Sequence, residues 1–317
     1  MYQEPIFLKP VFQERIWGGD KLQTLFGYAI PNELTGEAWV ISAHKNGPSM
    51  ILNGPLQGQN LAQAWQEHPS LFGKEMTDGD FPLLVKILDA NDNLSVQVHP
   101  NDAYARKVEN EPYGKTECWY VLDCEPDSEI IFGHRADTQE DFKSRVDAGE
   151  WTDLLKSVPV KKGDFFYVPS GTIHAIGKGI VILEIQQSSD ITYRVYDYDR
   201  KDAEGHVRGL HIQPAIEVTN YPHISQAPEK IEESMDDLVI TRLVKEQYFT
   251  VYDWKLKGKV VTPLQADYLL VSIVNGTGEI TIDGRSFPLK KGDNFILPAM
   301  IKSYELEGDL EIVVAHE

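Results

Sequence analysis

Cysteine is scarce: Cys118 and Cys124 are the two in 317 residues. With no C-x2-C pair and no cysteine framework, a disulfide scaffold is excluded and a reducing cytoplasm is the expected compartment. Positive charge is also short. Thirty Lys and Arg stand against 49 Asp and Glu, a net charge of −19, which disfavours nucleic-acid backbone and anionic membrane as partners. An anionic small substrate would need a local basic pocket. No run approaches the ~18 apolar residues that span a bilayer. The opening Met1-Tyr2-Gln3-Glu4-Pro5 lacks a basic stretch leading into an apolar one, so no secretory signal is expected. What is present is ordinary for a globular protein: 42% hydrophobic and 25% charged residues, enough for one large or two ordinary domains.

Short β-branched or alternating runs bounded by Gly, Asn, Asp and Pro dominate. Leu83 to Leu88, Leu94 to His99, Cys118 to Leu122, Phe165 to Val168 and Ile180 to Ile185 are predicted strands, as is Tyr268 to Val274. Gly276-Thr277-Gly278 reads as a turn before a strand over Glu279 to Ile282, and Asp283-Gly284 as a tight hairpin. Helical periodicity is confined to inserts. One is Asn60 to Gln66, with Leu61, Ala64 and Trp65 on one face; the other is Thr138 to Leu155, opened by a Thr138-x-x-Asp141 pair. Asn220 to Asp237, with two prolines and several acids, reads as a connector into a second unit or as a surface loop.

A repeat organises the chain. Lys161 to Pro169 aligns with Lys290 to Pro298 at an offset of 129 positions. The first copy continues as G-x5-P-x-G-x2-H through Gly163, Pro169, Gly171 and His174. In the second copy Met300 and Ser303 stand where Gly171 and His174 would be. This predicts a duplicated barrel with one live site. Strand period two puts Ser95, Gln97 and His99 on one face, opposite Leu94, Val96 and Val98. A polar row turned into a barrel needs a ligand, since buried unsatisfied polar groups cost roughly 1–3 kcal/mol each. Glu117 enters the next strand on the face of Trp119 and Val121. Two imidazoles, a carboxylate and an amide suit Zn²⁺, and also Fe²⁺, Mn²⁺ or Ni²⁺. Glu117 has a plainer alternative, an ion pair with Lys115 on the same face. His134, His206, His211 and His223 are expected at the surface or in support of the site.

These segments resemble a known family. G-x5-P-x-G-x2-H is similar to the second motif of the cupin superfamily. Leu94-Ser95-Val96-Gln97-Val98-His99-Pro100, Gly114-Lys115-Thr116-Glu117-Cys118-Trp119-Tyr120 and Ser189-Asp190-Ile191-Thr192-Tyr193-Arg194 resemble the type I mannose-6-phosphate isomerases. Trp17-Gly18-Gly19 and Gly36-Glu37-Ala38-Trp39-Val40 match too, and the compact length is that of the short bacterial branch. The resemblance implies a mostly β fold of two cupin-type (jelly-roll) barrels with helical insertions: a catalytic unit over residues 1–235 and a degenerate one over 236–317. It implies one Zn²⁺ per chain, bound by Gln97, His99, Glu117 and His174. It also implies interconversion of mannose 6-phosphate and fructose 6-phosphate through a cis-enediol, in a monomer or homodimer. Arg194 and Lys115 match the family's active-site cations and are expected to stabilise phosphate or oxyanion. Asp190 is the carboxylate nominated as base, and Ser95 is expected to contact substrate. Two rival readings share the pattern. One is a cupin dioxygenase, whose facial triad is also two histidines and a carboxylate; the fourth ligand Gln97 and the cations Lys115 and Arg194 speak against it. The other is a non-catalytic sugar-binding cupin.

Overall fold

The computed structural model describes residues 3–77, 79–201 and 205–317. Its strands form three antiparallel sheets. The first runs, in spatial order, Phe165–Val168, Glu117–Cys124, Ile180–Gln187, Leu83–Ala90, Thr35–Ile41 and Val11–Gly19. The second runs Tyr193–Tyr196, Val96–Val98, His174–Ile176, Glu129–His134 and Leu155–Pro159. Their facing sides share one apolar layer, with Leu88, Val121 and Ile182 from the first sheet against Ile130, Phe132 and Ile176 from the second. This is the interior of the N-terminal barrel.

The first sheet is buried on its other face as well. Val85, Ile87, Leu183 and Ile185 pack with Val244, Phe249, Leu270 and Val313 of the C-terminal unit. Burial on both faces explains why Leu83 to Leu88 and Ile180 to Ile185 read as near-continuous apolar runs. The outer face of the second sheet is covered by the helices Gln139–Asp147 and Ile212–Val218, whose Phe142, Val146, Ala215 and Ile216 meet Val96, Val98 and Ala175.

The third sheet holds the strands from Ile231 onward and two from the N-terminus, Ile6–Lys9 and Met50–Ile51. Ile6 lies opposite Ile296. The strands Ile231–Met235 and Leu238–Lys245 form a hairpin with Met235 opposite Leu238, so a boundary drawn at 235/236 falls in its turn. The turn of the repeat is reproduced in both copies. The Lys161 amide donates to Asp164 Oδ2 at 2.9 Å and the Lys290 amide to Asp293 Oδ2 at 2.8 Å. The strands Phe165–Val168 and Asn294–Leu297 follow at the same offset. The two interiors differ. The C-terminal barrel is filled by Trp254, Ile273, Phe295, Leu306 and Ile312.

Two local expectations need correction. Gly276-Thr277-Gly278 is not a turn, because Leu269–Ile282 is one continuous strand. A Cβ on Gly276 would lie 1.9 Å from Asp309 O and one on Gly278 2.3 Å from Glu307 O. The glycines therefore admit close approach of the neighbouring strand. The insert over Thr138 to Leu155 is two helices, Gln139–Asp147 and Trp151–Leu154, and Leu155 already opens a strand. Asp283-Gly284 does turn a hairpin, with φ of 48° and 75° and Ile282 opposite Arg285. Asn60 and Gln63 complete a reciprocal capping box over buried Leu61, Ala64 and Trp65.

His134 is buried rather than at the surface: Nε2 donates to Asn220 O at 3.0 Å and Nδ1 accepts the Ala136 amide at 3.2 Å. His223 packs against it and Phe132. Burial, with Lys156 and His134 adding, brings the His223 imidazole down to about 4. An unfolded chain protonates this ring near the ordinary value of about 6.5. As pH falls from there toward 4 the unfolded state binds the proton first, so stability falls across that window and levels off below it. The urea midpoint of His223→Gln should therefore shift less between pH 7 and pH 5 than that of the wild type. An equal shift would remove this ring from the acid response.

Candidate metal centre and substrate pocket

The site is assembled from both sheets of the N-terminal barrel. Period two in and around Val96–Val98 turns Gln97 and His99 inward, while Val96 and Val98 face the helices. His174 opens the adjacent strand directly opposite Gln97. Glu117 opens the strand Glu117–Cys124 of the facing sheet. Gly171 has φ +82°, its amide donates to His99 O at 2.9 Å, and a Cβ there would meet the Asn220 side chain at 2.5 Å. The P-x-G-x2-H spacing is thus a turn constraint that delivers His174.

One donor atom from each of His99, Glu117 and His174 can be chosen so that all lie within 4.8 Å of one another, and all three residues are buried. Glu117 Oε1 is 3.4 Å from His174 Nε2, and Oε2 is 3.6 Å from His99 Nε2. His99 Nδ1 faces Ile191 O at 2.7 Å and His174 Nδ1 faces Thr172 O at 2.9 Å. Each carbonyl fixes the proton on Nδ1 and leaves the Nε2 lone pair aimed at the cluster, the arrangement that orients metal-binding imidazoles. Burial, Lys115 and His174 hold His99 well below its ordinary value. Burial and Lys115 bring His174 to about 4. Both rings are therefore neutral at pH 7, as ligands must be. The Gln97 amide nitrogen lies 3.4 Å from His174 Nε2, and rotation of the amide presents its oxygen to the same point. The donor set fits a divalent metal.

Lys115 touches Glu117 as an ion pair and sits 3.1 Å from His99 Nε2. The pairing of Glu117 with Lys115 and its place in the metal cluster are thus realised together. Burial pushes the Lys115 ammonium down, but Glu117 and Glu184 outweigh it and hold the group above its ordinary value. Behind this lies a cross-strand row in which Trp119 is opposite Glu184, Glu184 opposite Lys86, and Lys86 opposite Trp39. Lys86 Nζ lies 3.3 Å from Glu184 Oε2. Trp119 Nε1 donates to Glu117 Oε1 at 3.1 Å and Glu184 Oε1 at 3.2 Å. Burial and the Glu117 charge push the Glu184 carboxyl up, with Lys115 and Lys86 opposing. Burial also works against Glu37, yet Lys86 and Arg15 hold it below the usual carboxylate range.

Of these groups, Arg15, Glu37, Trp39, Lys86, Lys115 and Glu184 line a cavity of about 260 Å³. Its wall carries five cations (Arg15, Lys86, Lys115, Arg194, Arg208) against three acids (Glu37, Glu184, Asp190). A protein of charge −19 thus reverses sign in its pocket. Arg194 Nε donates to Ser95 Oγ at 3.2 Å, and the Arg194 amide donates to His211 Nδ1 at 3.1 Å. Asp190 lies at the rim with its side chain 44% exposed. All eight residues singled out in the sequence lie at this pocket or the metal cluster. Arg15, Glu37, Lys86, Glu184 and Arg208 were missed. For Lys86 and Glu184 a signal existed: Glu184 is the one charge in the strand Ile180–Gln187, and Lys86 sits between the apolar Val85 and Ile87.

A family model for phosphomannose isomerase type I, catalytic domain, matches residues 6–127, and one for mannose-6-phosphate isomerase, cupin domain, matches residues 239–317. The chain is similar to the mannose-6-phosphate isomerase ManA of Bacillus subtilis, at 51% identity over all of both chains. It is 52% identical to the mannose-6-phosphate isomerase of Streptococcus mutans, over 99% of this chain and 98% of that one. The crystal structure of a mannose 6-phosphate isomerase from Bacillus subtilis superposes with a TM-score of 0.97 at 44% identity, covering 99% of this chain and 100% of that one. On fold, site and full-length similarity together, this chain belongs to the type I phosphomannose isomerase family.

Proposed function

We propose that the protein interconverts mannose 6-phosphate and fructose 6-phosphate, with Zn²⁺ held by Gln97, His99, Glu117 and His174. The observation that carries this reading is a buried cluster of neutral imidazoles and a carboxylate beside a pocket whose charge is opposite to that of the whole protein. Bound zinc would supply Lewis acidity for the charge that develops on the sugar's C1 and C2 oxygens.

The chain's own residues divide the remaining work. Asp197 is buried and accepts from Arg200 Nη2 at 2.5 Å and from Arg208 Nε and Nη2 at 2.7 and 2.6 Å. Arg194 is close enough to both guanidinium groups that, after burial, they hold its own value down. Two guanidinium groups hold this carboxylate and a third, that of Arg194, lies near them with no acid of its own among the described residues, so the surplus positive charge at Arg194 and Arg208 suits a phosphate dianion. Ser95 orients Arg194 and offers its hydroxyl to the sugar. Asp190 takes the C2 proton and returns it to C1, while the O2 proton moves to O1; C2 becomes the ketone and C1 the hydroxymethyl carbon. Lys115, a buried donor, stabilises the oxyanion of the cis-enediol. The free thiols Cys118 and Cys124 fit a reducing, cytoplasmic setting.

The test combines metal analysis with an isomerase assay before and after chelation. Activity on mannose 6-phosphate should vanish with the metal and return with added Zn²⁺. Unphosphorylated mannose should be turned over at least on the order of 100-fold less efficiently, because the guanidinium groups would be left without their anion. Equal kcat/KM for the two sugars would remove the phosphate assignment.

A further inference from the structure

One loop, residues 42–49 between the strands Thr35–Ile41 and Met50–Ile51, engages both carboxylate oxygens of Asp190. Asn46 Nδ2 donates to Asp190 Oδ2 at 2.6 Å. His44 Nε2 faces Asp190 Oδ1 at 3.7 Å. The loop is fixed from within. The Ser49 amide donates to Ser42 O at 2.7 Å, the Gly47 amide to His44 O at 3.0 Å, and the His44 amide to Ser42 Oγ at 3.2 Å. The His44 ring is buried and stands edge-on to Trp39, at 5.4 Å and 80°, while Lys86 lies over the same indole at 5.2 Å. His44 is thereby tied to the pocket wall, not merely to the surface.

We propose that His44 and Asn46 are positioning residues that set the Asp190 carboxylate toward C1 and C2 of the sugar, an inference that rests on Asp190 as the proton carrier. Asp190 needs such support. It is half exposed at the rim, and a carboxylate free to rotate there would sample many orientations in which neither oxygen meets the reacting carbons. One hydrogen bond from Asn46 to Oδ2 and the His44 edge 3.7 Å from Oδ1, both on one rigid loop, remove that freedom. His44 acts by orientation and not as a relay. Its Nδ1 accepts the Asn46 amide at 3.2 Å, so in the neutral ring the proton sits on Nε2, facing Asp190. Passing a proton onward would require breaking that backbone bond.

The test is a set of single and paired variants assayed with mannose 6-phosphate in the zinc-loaded enzyme. His44→Ala and Asn46→Ala should each lower kcat by on the order of 10–100-fold, the scale of a misplaced catalytic group. KM should stay within about three-fold, since neither residue holds the phosphate. Metal content should be unchanged. His44→Gln, whose amide N–H can reach the position of Nε2, should keep kcat within several-fold of wild type, which a relay would not allow. Added to Asp190→Asn, His44→Ala should have almost no further effect on kcat, because the two act as one unit. Asn46 is exposed, so its variant keeps the test meaningful even where His44→Ala folds poorly. Wild-type kcat in Asn46→Ala and His44→Ala, with Asp190→Asn strongly impaired, would overturn the inference and leave the role of Asp190 standing. The same loss from His44→Ala with and without Asp190→Asn would reduce His44 to a structural residue. Near-normal turnover by Asp190→Asn would remove both readings.

Discussion

His174→Ala should release the metal and abolish isomerisation, while Ser303→Ala should leave both near wild type. The two residues occupy the same position after the same turn. Thr172 N donates to Pro169 O at 3.2 Å in one barrel, and Ile301 N to Pro298 O at 3.0 Å in the other. Only in the first does the next residue but one point into a polar interior. His174 Nε2 lies 3.4 Å from Glu117 and its ring packs 4.8 Å from His99. Ser303 is exposed, over a core of leucines, isoleucines and aromatics. Outer partners of metal ligands are commonly worth roughly 10–100-fold in affinity or activity, and loss of a ligand itself should exceed that. Elemental analysis of the purified variants, beside the isomerase assay, checks it. Full metal stoichiometry in His174→Ala would overturn the ligand assignment.

Asp190→Asn should lower kcat by about 10²–10⁴-fold, the usual worth of a general base, with metal content intact. The substitution preserves size and the acceptor oxygen for Asn46, and removes basicity. It separates Asp190 from Glu37 and Glu184, the other two carboxylates of the wall. Glu184 is locked between Lys86 and Trp119, whereas Asp190 stands at the rim beside the segment that supplies Arg194. Exchange of the substrate's C2 proton with solvent should slow in parallel with turnover. Normal exchange and turnover in this variant would make Asp190 a structural residue and direct attention to Glu184.

The cluster of His99, Glu117 and His174 was legible because a metal demands particular donor atoms, and the turn that delivers His174 demands Gly171 at a fixed spacing. The inward face of Gln97 and His99 followed from strand period alone. Lys86 and Glu184 were overlooked for a physical reason: their strands are buried on both faces, so apolar residues fill both registers and the alternation that would expose an inward charge is lost. The five cations of the pocket come from segments as distant as Arg15 and Arg208, brought together by sheet closure and not by any local pattern. Gly276 and Gly278 misled because a glycine pair marks a turn and a close strand contact equally well. The partition into two units was blurred by a pairing no local reading reveals, that of Ile6 with Ile296.

That last pairing sets an order of events during synthesis. The strand Ile6–Lys9 leaves the ribosome long before its partner Asn294–Leu297 is made. Tyr28, whose hydroxyl donates to Gly292 O at 2.7 Å, waits equally long. Until then the outward face of the six-stranded sheet, with Val85, Ile87, Leu183 and Ile185, has no cover from the C-terminal unit. The C-terminal barrel is therefore the closing piece of the N-terminal one: a nascent chain stopped near residue 235 would hold the whole His99, Glu117 and His174 cluster and still present an uncovered apolar sheet face.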